Sequence, residues 1–137
     1  MRYLLFVWLL VLAGCAQSPS AEQLLDRYLE LSDAGMHEQF DRVLAGEAMQ
    51  AALQANDIMA ELNLEQVGET DYFDLEQISS NRWRFCMDVS ETKIFDQLGN
   101  DLTPEARPTQ LPMIMTLERF GSTKKITDLE IRRFENC

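Results

Sequence analysis

The side chains able to do acid–base chemistry are few and scattered. His37 is the only histidine in 137 residues, and imidazole is the side chain that titrates nearest neutral pH. It stands just past Gly35 and beside Glu38, with Asp33 and Asp41 near enough in sequence to complete a His–Asp dyad. Nothing in that spacing demands one, and a histidine at a helix start is the plainer account. Asp71-Tyr72-Phe73-Asp74 sets carboxylates beside a phenol, yet solvated acids at a strand start explain it as well. Asp88 shares a strand face with Arg84 and Cys86, where a surface pair with Arg84 would gain little. Asp96, Asn100, Asp101 and Glu105 gather oxygen atoms in one loop, but the calcium-loop spacing D-x-[DN]-x-[DN]-G is absent. The chain has no G-x-S-x-G, H-E-x-x-H, G-x-G-x-x-G or P-loop pattern. No catalytic residue, metal or cofactor is therefore expected.

A second set is apolar. Trp83, Phe85 and Met87 alternate on one strand face, and Met113, Met115 and Leu117 on another. With Tyr28 and Phe40 from the helices above, these eight could line a small apolar pocket, since soft thioethers tolerate varied ligands. Packing as plain core is the competing account.

The elements that must position these groups can be read from periodicity. Ser20 and Gln23 form a capping box, and Leu24, Leu25, Tyr28 and Leu31 make one helical stripe ending near Gly35. Met36, Phe40, Val43 and Leu44 repeat the spacing, which predicts a second short helix ending at Gly46. A third helix is expected from Glu47 to about Leu62. The period then changes. Strands are expected around 64–68, 72–78, 83–89 and 93–95, and again in "MIMTLERF" and "KKITDLEIRRF", which meet at the turn Gly121-Ser122-Thr123. Pro104, Pro108 and Pro112 cannot donate to a ladder, so a loop is expected from Gly99 to Pro112.

The N-terminus fixes the expected address. Tyr3 to Ala13 is an apolar run of 11 residues. As a helix it would span roughly 17 Å, against the roughly 30 Å of a bilayer core. It suits the hydrophobic part of a secretory signal behind Arg2. Leu12-Ala13-Gly14-Cys15 resembles the lipobox of bacterial lipoproteins. The resemblance implies a signal peptide over 1–14, a diacylglyceryl group on Cys15, a tether over 15–19, and a domain over 20–137 held at the extracytoplasmic face of a bacterial membrane. Two or three acyl chains would anchor stably at about 0.8 kcal/mol per buried CH₂. If Cys15 carries lipid, Cys86 and Cys137 are left as an even pair in an exported domain, and a disulfide is expected. That bond would remove Cys86 as a nucleophile. Beyond residue 14 the chain holds 23 acidic and 11 basic residues, a net charge of −12. Such a surface repels nucleic acid and anionic lipid headgroups, which excludes nucleic acid as a partner and leaves membrane attachment to the lipid rather than to a basic patch.

Helices followed by antiparallel strands make an α+β domain. The order, with "WRFCMDVSETKIFDQLGN" and "KITDLEIRRFENC", resembles the NTF2-like (cystatin-like, SnoaL-like) superfamily, and within it small exported or lipid-anchored actinobacterial proteins. In those proteins a central strand bears Cys-x-Asp-x-Ser, here Cys86-Met87-Asp88-Val89-Ser90, and a terminal cysteine closes the domain. The resemblance implies N-terminal helices packed on a strongly curved antiparallel sheet, a cone whose wide end is often unfilled. It implies a non-catalytic module that binds a protein partner or a small apolar ligand. Two alternatives stand beside it: a small cavity enzyme of isomerase or hydrolase type, and an assembly factor of a membrane complex. A deep pocket on which a carboxylate converges with His37 or a tyrosine would favour the enzyme. A filled or wholly apolar cone would favour binding.

Overall fold

The structure, a computed structural model, describes residues 17–133 and 135–137. The signal segment, the lipobox and Cys15 lie outside the described residues. Helices come first: α1 (Ala21–Asp33), a 3-10 helix (His37–Arg42) and α2 (Gly46–Glu61). Six strands follow: β1 (Leu64–Val67), β2 (Asp71–Gln77), β3 (Arg82–Asp88), β4 (Lys93–Asp96), β5 (Gln110–Phe120) and β6 (Thr123–Ile131). The class is α+β, with antiparallel sheets. One sheet has the order β2-β3-β5-β6, and β1 and β4 pair separately as a two-stranded ribbon. Among the described residues, no helix is long and apolar enough to cross a membrane.

The start and stop of α1 follow from local chemistry. The Ser20 hydroxyl accepts from Gln23 N, and Gln23 Oε1 accepts from Ser20 N, so two orphan donors are satisfied at once. At the other end Gly35 takes φ +67°. Its N–H reaches Ser32 O, and Met36 N–H reaches Leu31 O. That reciprocal pair is a Schellman stop, and the left-handed residue at its centre favours glycine. Between the caps Leu24, Leu25, Leu29 and Leu31 are buried.

The second expected helix is shorter than its spacing predicts. It is a single 3-10 element, and by Leu44 the chain has run alongside β6. Ile126 N–H donates to Val43 O, and Ala45 N–H donates to Ile126 O. These bonds satisfy backbone groups on the edge of β6, and a helix continued to Gly46 would leave them open.

Pro112 is a second correction, because it lies inside β5 rather than in the preceding loop. It stands opposite Cys86 on β3, while its carbonyl accepts from Arg132 N. A strand residue's N and C=O point to the same side. The missing N–H of Pro112 therefore faces the end of β6, and the ladder to β3 loses nothing.

The core lies between the helices and one face of the four-stranded sheet. Phe85, Met115, Leu25, Leu31, Leu44 and Ile126 are its largest fully buried side chains. Phe85 meets Tyr72 edge-on at 6.1 Å, a favourable ring geometry. Cys86, on the other face of β3, is at disulfide distance from Cys137, with Cα atoms 5.5 Å apart.

Candidate functional site

α2 packs chiefly on β6, and less closely on β1 and the 3-10 helix. Ala48 is the one buried residue of this helix, while Leu53 and Ile58, and Leu62 just past its end, are exposed. Small side chains, Ala52, Ala55 and Ala60, face the end of α1 and do not fill the space between. A cleft of about 460 Å³ remains, walled by α1, the 3-10 helix, α2 and the start of β1.

Of the eight expected pocket residues, only Tyr28 and Phe40 line this cleft. Phe85, Met113, Met115 and Leu117 are buried in the core, and Trp83 and Met87 pack against it. The inward sheet face is closed by α1 and by the segment that lies along β6.

The cleft brings Tyr28, Asp33 and His37 to one wall. Burial, and then the nearby Asp33 carboxylate, pushes the Tyr28 phenol up from its ordinary pKa, so it stays neutral. Asp33 is already engaged. Its oxygens accept from Thr70 N at 2.7 Å and Thr70 Oγ1 at 2.8 Å, which pins the β1–β2 connection to the end of α1. The His37 ring meets Phe40 edge-on at 5.1 Å. Its Nδ1 is the one buried side-chain nitrogen or oxygen without a hydrogen-bond partner among the described residues. Residues 33, 37, 55 and 59 meet only in the fold. A lone histidine beside a helix-stopping glycine was the one local signal.

The other candidates separate. Tyr72 donates to Asp26 on α1 at 2.7 Å, not to either neighbouring aspartate. Desolvation, and then this bond, raises its pKa. Asp71 accepts from Tyr72 N, and Asp74 occupies a bulge in β2 at φ +57°. Arg84 pairs with Glu76 on β2 rather than with Asp88. Asp88 accepts from Ser90 N at 2.9 Å and closes its own turn. Among the described residues, no group of three or more His, Cys, Asp or Glu side chains could hold a metal ion.

The oxygen-rich loop uses its carboxylates on itself. Asp96 accepts from Asn100 Nδ2 and Asn100 N at 2.8 Å and from Leu98 N at 2.9 Å. Asp101 accepts from Thr103 N at 2.9 Å and faces Lys93 at 3.6 Å. The Asn100 bonds foremost hold the Asp96 carboxyl below its ordinary value of 3.8, and those from Thr103 do the same for Asp101. A lowered folded pKa contributes stability above the unfolded pKa and loses it as pH falls through the folded value. The Asp96 side-chain NMR signal is therefore expected to titrate below 3.8. Amide protection over residues 97–103 should persist at neutral pH and fail only on acidification through that midpoint. A midpoint at or above the ordinary value would contradict the assignment.

The chain matches no family model, and no curated protein is similar to it in sequence. Similarity is found among solved structures. The crystal structure of the intermembrane space region of the chloroplast protein ARC6 aligns with a TM-score of 0.59 at 17% identity. The alignment covers 81% of this chain and 92% of that one. At such low identity the likeness is one of fold, an α+β domain shared over most of both chains.

Proposed function

We propose that this chain is a lipid-anchored protein of the bacterial cell envelope, held through Cys15 at the extracytoplasmic face. Its domain is of the NTF2-like kind and works as a binding module without catalysis of its own. The lipobox-like Leu12-Ala13-Gly14-Cys15 supports the anchor. The cysteine pair at disulfide distance suits an oxidising compartment. The ARC6 region belongs to an intermembrane space, which is in keeping with that address.

The observation that carries the binding reading is the cleft between α1 and α2. Its volume suits a small molecule, and its walls mix apolar and small side chains with polar ones such as Asn56 and Gln66. With Nδ1 buried, Nε2 is the ring nitrogen that His37 offers a ligand, and the neutral Tyr28 hydroxyl is a second polar handle. Native mass spectrometry of the protein extracted from its own membrane tests the reading. The expected result is an acylated, disulfide-bonded species retaining a small ligand that an Ala55→Trp variant, with the cleft filled, does not retain. Equal retention by both proteins, or an empty parent, would count against it.

A small cavity enzyme is the second reading, favoured by the meeting of Tyr28, Asp33 and His37 in one cleft. The binding module is preferred because Thr70 occupies both oxygens of Asp33 and burial keeps the Tyr28 proton in place. These two groups hold structure and ligand better than they move protons.

A further inference from the structure

We infer that the tip of the β5–β6 hairpin is the surface that this domain lays against anionic lipid headgroups. The inference rests on the anchor proposed above and adds to it an orientation and a lipid class. Ser18 Oγ donates to Ser122 O, in the hairpin turn, at 3.3 Å. Ser18 is three positions beyond Cys15, and three residue steps reach at most about 11 Å. A lipid on Cys15 must therefore enter the bilayer beside this turn, whatever path the tether takes.

The tip has the composition of a headgroup contact. Phe120, next to the turn, is 43% exposed. Arg119 and Lys124 face one another across the hairpin, and neither is in an ion pair among the described residues. Lys125 donates to the backbone carbonyl of Asp41. Glu118, opposite Lys125, is the one carboxylate on these last rungs. Three cations, one carboxylate and an exposed ring stand here on a chain of net charge −11. Aromatic rings favour the headgroup level, and cations favour an anionic leaflet.

Asp41 lies beside Lys125, but the acid at the far end of the sheet does not cancel this patch. Asp88 pairs with Gln110, at the far end of β5 from Phe120. Ten residues of strand separate the two ends, about 34 Å, against a screening length of about 8 Å at physiological salt. With the tip down, that end points away from the membrane. The leaflet then feels the local charge more than the net one.

Tryptophan fluorescence on vesicles tests this with the full lipoprotein. Phe120→Trp and, as control, Leu98→Trp in the turn after β4 would be placed in vesicles of equal parts phosphatidylglycerol and brominated phosphatidylcholine. Parent protein supplies the Trp83 baseline. Phe120→Trp should be quenched at least about twofold more than Leu98→Trp, as a ring at headgroup depth requires. Adding Arg119→Glu and Lys124→Glu should abolish that difference while the protein stays on the vesicles. Equal quenching at both sites on vesicle-bound protein would overturn the orientation and leave the anchor standing. Shielding of Phe120→Trp from aqueous iodide without bromolipid quenching would mean that another protein copy covers the tip, and would also overturn it. Protein that carries no acyl mass and stays off the vesicles would remove the anchor itself, and the orientation with it.

Discussion

Cys137→Ser will lower the folding stability of this domain by about 4 kcal/mol in the chain-entropy account of disulfides. The figure follows from the loop that the pair closes, which spans 51 residues of sequence. Most of the loss should arise in the unfolded chain, because other contacts keep the end of the chain in place. Arg132 N donates to Pro112 O, and the Arg132 guanidinium pairs with Glu130 and Glu135. Those exposed pairs are each weak, but they hold the approach to β5 that brings Cys137 to Cys86. Urea unfolding of parent and variant, each with and without reductant, checks this. Reductant should bring the parent down to the variant and leave the variant unchanged. A parent that ignores reductant while its thiols become free would show that the bridge contributes nothing.

Gly68→Ala carries the next largest expected effect, about 3 kcal/mol or more, from backbone strain and a clash that no rotamer relieves. Gly68 joins β1 to β2 at φ +107°. An added Cβ would fall well inside contact distance of the Glu91 carbonyl oxygen, 3.0 Å from its carbon and 3.1 Å from Thr92 Cα. These are backbone atoms, and their turn is held by Thr92 Oγ1 to Val89 O and by Arg107 to Thr92. The strand connection must therefore move. Gly99→Ala is the control, since it has φ +82° but nothing within 4 Å. It should cost about 1–2 kcal/mol from conformation alone. The difference between the two midpoints isolates the clash, and amide exchange should rise across β1 and β4 only in Gly68→Ala. Equal losses would mean that the Glu91 turn yields freely.

How far the sequence speaks depends on how local the deciding contact is. Ser20 and Gln23 settle the start of α1 within three residues, and that was legible. The alternation of Trp83, Phe85 and Met87, and of Met113, Met115 and Leu117, correctly marks inward faces. It does not say whether the space above those faces is open. That was decided by α1 and by the segment at Val43–Ala45, which close over the sheet. The same segment cut the second helix short, because its partner Ile126 lies far along the chain. Pro112 was misread because residue type tells that an N–H is missing but not which neighbour would have received it. The cleft itself was hidden. It is built from alanines on α2 opposite a histidine, and alanine on a helix gives no sign of what it fails to fill.

β2 is an edge strand of the four-stranded sheet. Its extra residue at Asp74 shifts the register between Phe73 and Glu76, which interrupts the row of donors and acceptors on its outer side. Asp71, Asp74 and Glu76 stand exposed along the same strand. Edge-to-edge polymerisation needs a flat, uncharged template onto which a neighbouring molecule can add its own strand. The kink at Asp74 denies that template, so even in concentrated solution fibril growth has no starting point at this edge.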